Sequence, residues 1–337
     1  MDTVLSPDVD APSQAVPLTE RILRRLGRPR WLWILLWSAV ALISPLVFGT
    51  AIRLSGRPFD SSELVNLLVS QAALAYACLI FLWGSGVLAR QATDLRHGLE
   101  RFAPGESAAD LFRGIGSVGG PLVLTGIVVT ISSANGWARY GPLPPIAALP
   151  LLSVYMVPIA TFVWVYLAIL VGLDRLGRRP LALDLFPQDR TLGLEKLGAL
   201  ASTGLGLVLV AAVPVLLAGS DEPVTLGISL AVVVMTVAVF VLSMWRLHRQ
   251  MAAAKARYVA ATRRLYADAY APIREHATVE TLEKHASVLS AAQSLDERAH
   301  NLLAWPIDEG TLKFMAVVVT GVVTSLVVRG LFAAIGF

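Results

Sequence analysis

Few residues in this chain could do chemistry, and their spacing argues against most of what they could do. There are five histidines, His97, His248, His276, His285 and His300, and one cysteine, Cys78. His285 and His300 share a helical face with Asp296 but stand about 22 Å apart along a helix axis, too far for one ion to bridge. A solvated face explains them better than a metal centre, and neither metal nor cofactor is expected. Cys78 lies inside an apolar run, where a small buried residue is the simple reading, and a lone thiol cannot close an internal disulfide. No H-E-x-x-H, no G-x-S-x-G and no carboxylate pair at catalytic spacing occurs. Gly114-Ile115-Gly116-Ser117-Val118-Gly119 fits G-x-G-x-x-G, but a dinucleotide site needs that pattern after a strand. Here it opens an apolar helix. Gly116 with Gly120, and Gly198, Ser202 and Gly206 farther on, read instead as close-packing faces between helices. No catalytic residue is assigned, and an enzyme is not the expected class.

The elements that position these residues are set by hydropathy. The chain has 337 residues, 55% hydrophobic and 15% charged, with mean hydropathy +0.66. A soluble domain carries about a quarter charged residues. Spanning a bilayer takes roughly 17–25 apolar residues, and seven stretches qualify: 31–50, 64–89, 116–133, 146–173, 197–218, 224–245 and 312–334. The first follows basic residues as a secretory signal would. It is too long for a signal core and lacks a small-x-small site after it, so it reads as a retained crossing. Of the 28 Lys and Arg, only Arg53, Arg57, Arg139 and Arg329 fall on the outer side when the N-terminus is placed inside. That separation predicts a cytosolic N-terminus and an external C-terminus. The net charge of +4 comes from basic residues flanking apolar runs, which suits an anionic inner leaflet and not nucleic acid.

The expected fold is thus all-α: a polytopic helical membrane protein with seven transmembrane helices and a cytosolic helical hairpin between the sixth and seventh. Residues 1–30 form a disordered tail and an interfacial helix, 31–245 six crossings, 246–311 the hairpin and 312–337 the last crossing. On the interfacial helix, Leu18, Ile22, Leu23 and Leu26 take one face, and Arg21, Arg24, Arg25 and Arg28 the other. The hairpin is predicted to turn at Ala271-Pro272 and to end its second arm at Trp305-Pro306. Leu247, Met251, Ala254, Tyr258, Ala261 and Leu265 form one seam, and Leu282, Ala286, Leu289, Ala292, Leu295, Ala299 and Leu302 the other. Alanine-rich seams bury little area, so another copy of the chain or the inner loops should complete them.

Phe186-Pro187-Gln188-Asp189 precedes the fifth crossing and Trp305-Pro306-Ile307-Asp308 the seventh. An aromatic at head-group level, a proline that ends one element and an Asp that caps the next explain the pattern. Asp60 with Glu63 has capping spacing as well. These two segments resemble segments of uncharacterised bacterial multi-pass membrane proteins. The resemblance implies a bacterial cytoplasmic (inner) membrane and brings no activity with it.

Charge is nearly absent from mid-membrane positions, which lowers the case for ion-coupled pumping. Glu63, Asn66 and Ser70 share one face of the second crossing, and Arg329 should snorkel to the outer head groups. Together they are candidates to flank an outer vestibule. Pro158, near mid-depth in the fourth crossing, is a candidate hinge. The function expected is a passive, homo-oligomeric channel or facilitator with its hairpin coupled to the pore. The alternative is a membrane sensor or adaptor whose hairpin recruits a cytosolic partner. Insect chemoreceptor channels share this seven-crossing layout with an inner helical anchor, an analogy of topology only.

Overall fold

A computed structural model describes residues 16–335 except 28, 57–59, 96–107, 182, 184–189, 219–222, 276–278 and 308. The expectations for residues 1–15, for Phe186–Asp189 and for Asp308 lie outside these residues. Among the described residues the chain is helical, with no strand. The helices are α1 (Leu18–Leu26), α2 (Arg30–Leu54), α3 (Ser61–Asp94), α4 (Gly119–Tyr140), α5 (Leu143–Gly177), α6 (Glu195–Ala218), α7 (Pro223–Glu275), α8 (Val279–His300) and α9 (Glu309–Ile335). One α-turn, Ala108–Leu111, and one 3₁₀ turn, Arg113–Gly116, precede α4. Seven helices are long and apolar enough to cross a membrane: α2 to α7 and α9. This is a multi-pass membrane protein.

The centre of the bundle is α5. It packs against α2, α3, α4, α6 and α7, and Tyr155, Phe162, Val165, Ile169 and Leu173 on it are almost fully buried. Apolar area gives helices in lipid no reason to associate, so close approach of small residues does. Three aromatics of α5 each fill a glycine notch. Phe162 stands against Gly84 of α3, where a Cβ would lie 3.0 Å from its ring, and stacks on Phe81 at 4.6 Å. Trp164 covers Gly120 of α4, and Tyr166 covers Gly204 of α6; a Cβ at either glycine would run into the ring. The polar tips are also satisfied. Trp164 Nε1 donates to the Gly114 carbonyl at 2.9 Å, and the Tyr166 hydroxyl donates to Ala201 O at 3.2 Å.

Several expectations shift. The third crossing starts at Gly119, because residues 113–116 wind as a 3₁₀ turn. The G-x-G-x-x-G carbonyls are taken up by the protein: Gly114 O accepts from Trp164 and Gly116 O from Arg21. The first helix does not simply lie on a leaflet. Its Leu18 and Thr19 are buried, Thr19 meets the Ser85 hydroxyl of α3 at 3.2 Å, and Gly86 makes room for Glu20. Only Ile22 and Leu26 of its apolar face stay exposed. Pro272 does not end α7, which runs on for three more residues to Glu275. The second arm stops at His300, short of Trp305.

The notches predict a contrast on α4. A leucine at Gly120 would collide with Trp164, whereas Gly126 has nothing within 4 Å. Gly120→Leu should lower the unfolding free energy in detergent by about 1–3 kcal/mol, the usual cost of overpacking. Gly126→Leu should leave the thermal transition unchanged.

Candidate functional site

The polar groups that stand out structurally are gathered where α5, α6, α8 and the entry to α9 meet α7. The last carbonyls of a helix have no partner within it. At the end of α5, Gln250 of α7 supplies partners: its Nε2 donates to Gly177 O at 2.7 Å and to Arg179 O at 2.6 Å. Its Oε1 accepts the Leu181 N–H at 3.2 Å. One turn earlier Arg246 pairs with Asp174 at 2.9 Å, and Arg178 holds the same carboxylate at 2.7 Å. Gly177 permits the approach, since a Cβ there would lie 2.8 Å from that of Arg246.

The opposite face of α7 does the same for a second helix end. Lys255 Nζ donates to His300 O at 2.9 Å and Leu302 O at 2.6 Å, closing the end of α8. His248 Nδ1 lies 2.8 Å from Ala304 O. A carbonyl can only accept, so this contact places a proton on Nδ1. The ring also stacks on Trp305 at 4.4 Å. At about 100° per residue, Arg246 and Gln250 fall on one side of α7, and His248 and Lys255 on the other. Met244, Leu247, Met251, Ala254 and Tyr258 lie between these rows and are buried.

From here the chain feeds into the membrane again. The Leu303 N–H donates to Arg190 O at 2.8 Å. A Cβ at Gly198 of α6 would run into the Pro306 carbonyl, so residues 305–307 sit directly on α6. The turn before α6 places Leu192 at φ 56° and Gly193 at φ 81°. A left-handed leucine is uncommon; burial of Leu192 and Leu194 accompanies it.

Of the hairpin seam, Leu247, Met251, Tyr258 and Leu302 are buried and Leu289 half-buried. The side chain of Leu282 lies outside the described residues. Leu265 is 53% exposed, and the stripe passes instead through Thr262 and Ala269. The exposure of Leu265 is a matter of cover and not of helical phase: 18 residues, about five full turns, separate it from the buried Leu247, so both stand on one face of α7. Gln250 bonding to residues 177–181 means that a loop partly completes the seam. Gly120 and Gly198 are close-packing positions, Ser202 is buried with its hydroxyl on Gly198 O at 2.7 Å, and Gly116 lies in the 3₁₀ turn. Gly206 differs: a Cβ there meets nothing within 4 Å, and Gly204 makes the contact with α5.

Glu63 and Asn66 are exposed, and Ser70 donates to Asn66 O at 2.8 Å. Asp60 caps α3 by accepting the Glu63 N–H at 2.8 Å. That bond, with the Ser62 hydroxyl, holds the Asp60 carboxyl below its ordinary value. Arg329 belongs to α9, and its side chain lies outside the described residues. α3 packs chiefly on α1, α2, α5 and α6, whereas α9 packs chiefly on α6 and α7. Pro158 is buried within a continuous α5, one turn after Tyr155, whose carbonyl accepts from Cys78 Sγ at 3.3 Å. Of the histidines, His97 and His276 fall outside the described residues, as does the side chain of His285. His300 lies 3.4 Å from Asp296, and among the described residues no three metal-ligating side chains cluster.

The row His248, Gln250 and Lys255 was not singled out from the sequence. Its signal was there: polar residues on both flanks of a buried stripe, within reach of two helix ends. No family model matches the chain, and no curated protein or solved structure matches it.

Two outcomes follow. Gln250→Leu strands the part-buried Gly177 carbonyl and Leu181 N–H, and each unsatisfied buried group costs about 1–3 kcal/mol; the exposed Arg179 carbonyl turns to water. The variant should melt well below wild type and show faster hydrogen exchange at 179–181, while Arg264→Leu, at an exposed position, melts like wild type. At Asp60 a depressed carboxyl stabilises the folded form above the unfolded pKa and loses that effect as pH falls through the folded one. Exchange in the first turn of α3 should therefore quicken on acidification in wild type and be pH-independent in Asp60→Asn, beyond the intrinsic rate.

Proposed function

We propose that the chain is a passive, homo-oligomeric channel or facilitator whose pore is lined by one face of α9. In this reading the basic end of the bundle is cytosolic, and α7 and α8 stand there as a hairpin. The observation that carries it is the state of the hydroxyls on α9. In a membrane helix a hydroxyl normally folds back on its own backbone, as Ser38, Thr125, Thr161, Thr236 and Ser243 do, each donating to the carbonyl four residues earlier. Thr320 and Thr324, one turn apart, are exposed, and among the described residues their hydroxyls make no hydrogen bond. Two free hydroxyls on one face suit contact with water better than contact with acyl chains.

The rest of the site supplies coupling. The residues that lead into α9 are held to α7 through His248 and Lys255, so displacement of the two arms reaches α9 at its entry. Charges in the described spans sit near helix ends, which favours passive conduction over ion-coupled transport. A second reading, a membrane adaptor, draws on Leu265, Tyr266, Tyr270 and Val288, all exposed on the two arms. A partner protein would cover them.

Flux into liposomes containing the purified full chain separates the two. The channel passes small ions or solutes; a bilayer as tight as protein-free liposomes would exclude it. In Thr324→Cys, a water-soluble, membrane-impermeant thiol reagent should bring flux down to background. Wild type should not respond, because its Cys78 is 0% exposed, and a thiol in hydrocarbon stays protonated and inert.

A further inference from the structure

We propose that the seam between α6 and α9 is a binding groove for one glycerophospholipid, with a phosphoethanolamine head at the α7 end and a tail laid along α6. Three cavities lie in line along this seam. The first, about 710 Å³, is walled by Arg190, Glu195, Lys255 and Glu309 among others. The second, about 350 Å³, shares Glu195 and Ile307 with the first. It continues past Ser202, Gly206 and Val210 on α6 and Met315 and Val318 on α9. The third, about 240 Å³, shares Val318 with the second and ends between Leu216 and Leu326. Polarity falls along the path, from four charged side chains through Ser202 and Thr203 to walls that are apolar but for Ser325.

The occupant is fixed by that gradient and by the setting. Both walls are membrane-spanning helices, so the open side of the groove faces acyl chains and not water. An acyl chain is the molecule available there, and it matches the lower walls. From Ser202 to Leu216 the groove follows α6 for about 21 Å, so a tail laid in it reaches past the middle of a hydrocarbon core about 30 Å thick. At the mouth both signs of charge occur. Arg190 and Lys255 suit a phosphodiester; Glu195 and Glu309 suit an ammonium group. Glu309 also reaches Lys313 at 3.7 Å, and Lys255 keeps two of its donors on His300 O and Leu302 O. A head bearing both charges adds a partner for Arg190 and for Glu195, whereas an anionic head would oppose Glu195. Gly206 takes its role from the same picture. Open space, not a packing partner, stands where its Cβ would be, and a side chain there would fill the tail channel. This inference does not rest on conduction: a chain that passes nothing would hold the lipid in the same way.

Native mass spectrometry of the full chain tests it, after extraction from nanodiscs of equal phosphatidylethanolamine and phosphatidylglycerol. Wild type should retain one phosphatidylethanolamine per chain. Gly206→Phe should retain at least about tenfold less, because a ring displaces several methylenes from the groove. Gly126→Phe, at an equally open position on α4, should retain as much as wild type. Arg190→Gln should lose the preference for phosphatidylethanolamine over a neutral diacylglycerol added to the disc. The thermal transition of each variant, read by tryptophan fluorescence, should stay at the wild-type value. Undiminished retention in Gly206→Phe with an unchanged transition would overturn the groove, as would equal loss in Gly126→Phe. A wild-type chain without lipid whose dimer breaks on Gly206→Phe would make the seam a subunit contact instead. Enrichment of phosphatidylglycerol would overturn the head assignment.

Discussion

A helix that ends beside a bilayer leaves carbonyls that lipid cannot satisfy. That constraint organises the basic end of this protein. The end of α5 and the end of α8 both finish against α7, and α7 carries a donor toward each: Gln250 on one side, Lys255 on the other. The Gly177 and Leu302 carbonyls are part-buried, and an orphaned buried carbonyl costs on the order of a hydrogen bond or more, so neither can leave its α7 donor without being opened to water. His248 adds a third tie, to Ala304, and the stacked Trp305 shields it from water. The consequence is geometric. The chain between α8 and α9 has its position set by α7, and Gly198 lets it lie on α6 with no side chain between.

Inside the bundle a different rule applies. Apolar area alone does not hold helices together in lipid, so the core depends on how closely backbones and rings approach. α5 answers this with large side chains and its neighbours with glycines. The result is a tight cluster of α2, α3, α5 and α6, with α4 packed on α5. α9 stands apart from this cluster. Its Gly321 and Gly330 have nothing within 4 Å, and its main contacts are with α6 and α7.

The long elements were legible in the sequence because each needs only its own hydropathy. That seven apolar helices exist follows from runs that no soluble fold would carry; their ends do not, as the start at Gly119 and the run of α7 to Glu275 show. What was not legible was mostly pairing. The donors at Gln250 and Lys255 look like ordinary solvated residues on a charged helix until α5 and α8 are placed beside them. Leu265 keeps the helical phase of the buried Leu247, and only the cover that neighbouring elements supply separates the two. Gly206 and Gly204 are two residues apart, and only the position of Tyr166 decides which one is a notch. The burial of Leu18 and Thr19 depended on the small stretch Gly84-Ser85-Gly86 of α3, distant in sequence. Glu63 was legible as the start of a helix and not as part of a site.

The two rules give α9 unequal support along its length. At its entry it is fixed through residues 302–307, by hydrogen bonds whose loss is costly. Deeper in the membrane it is held by Val322 and Leu326 against Val233 and a few partly buried neighbours, with cavities on the α6 side. A rod clamped at one end and loosely packed along the other responds to torque at the clamp. The clamp is α7, and α7 continues from it as the longer of the two arms that extend away from the bundle. In the channel reading, load on the parts of α7 and α8 beyond the bundle would reach α9 at its entry, where it is clamped, and act on the stretch that has cavities beside it. A change in what fills the α6 side would alter the same balance from within the bilayer.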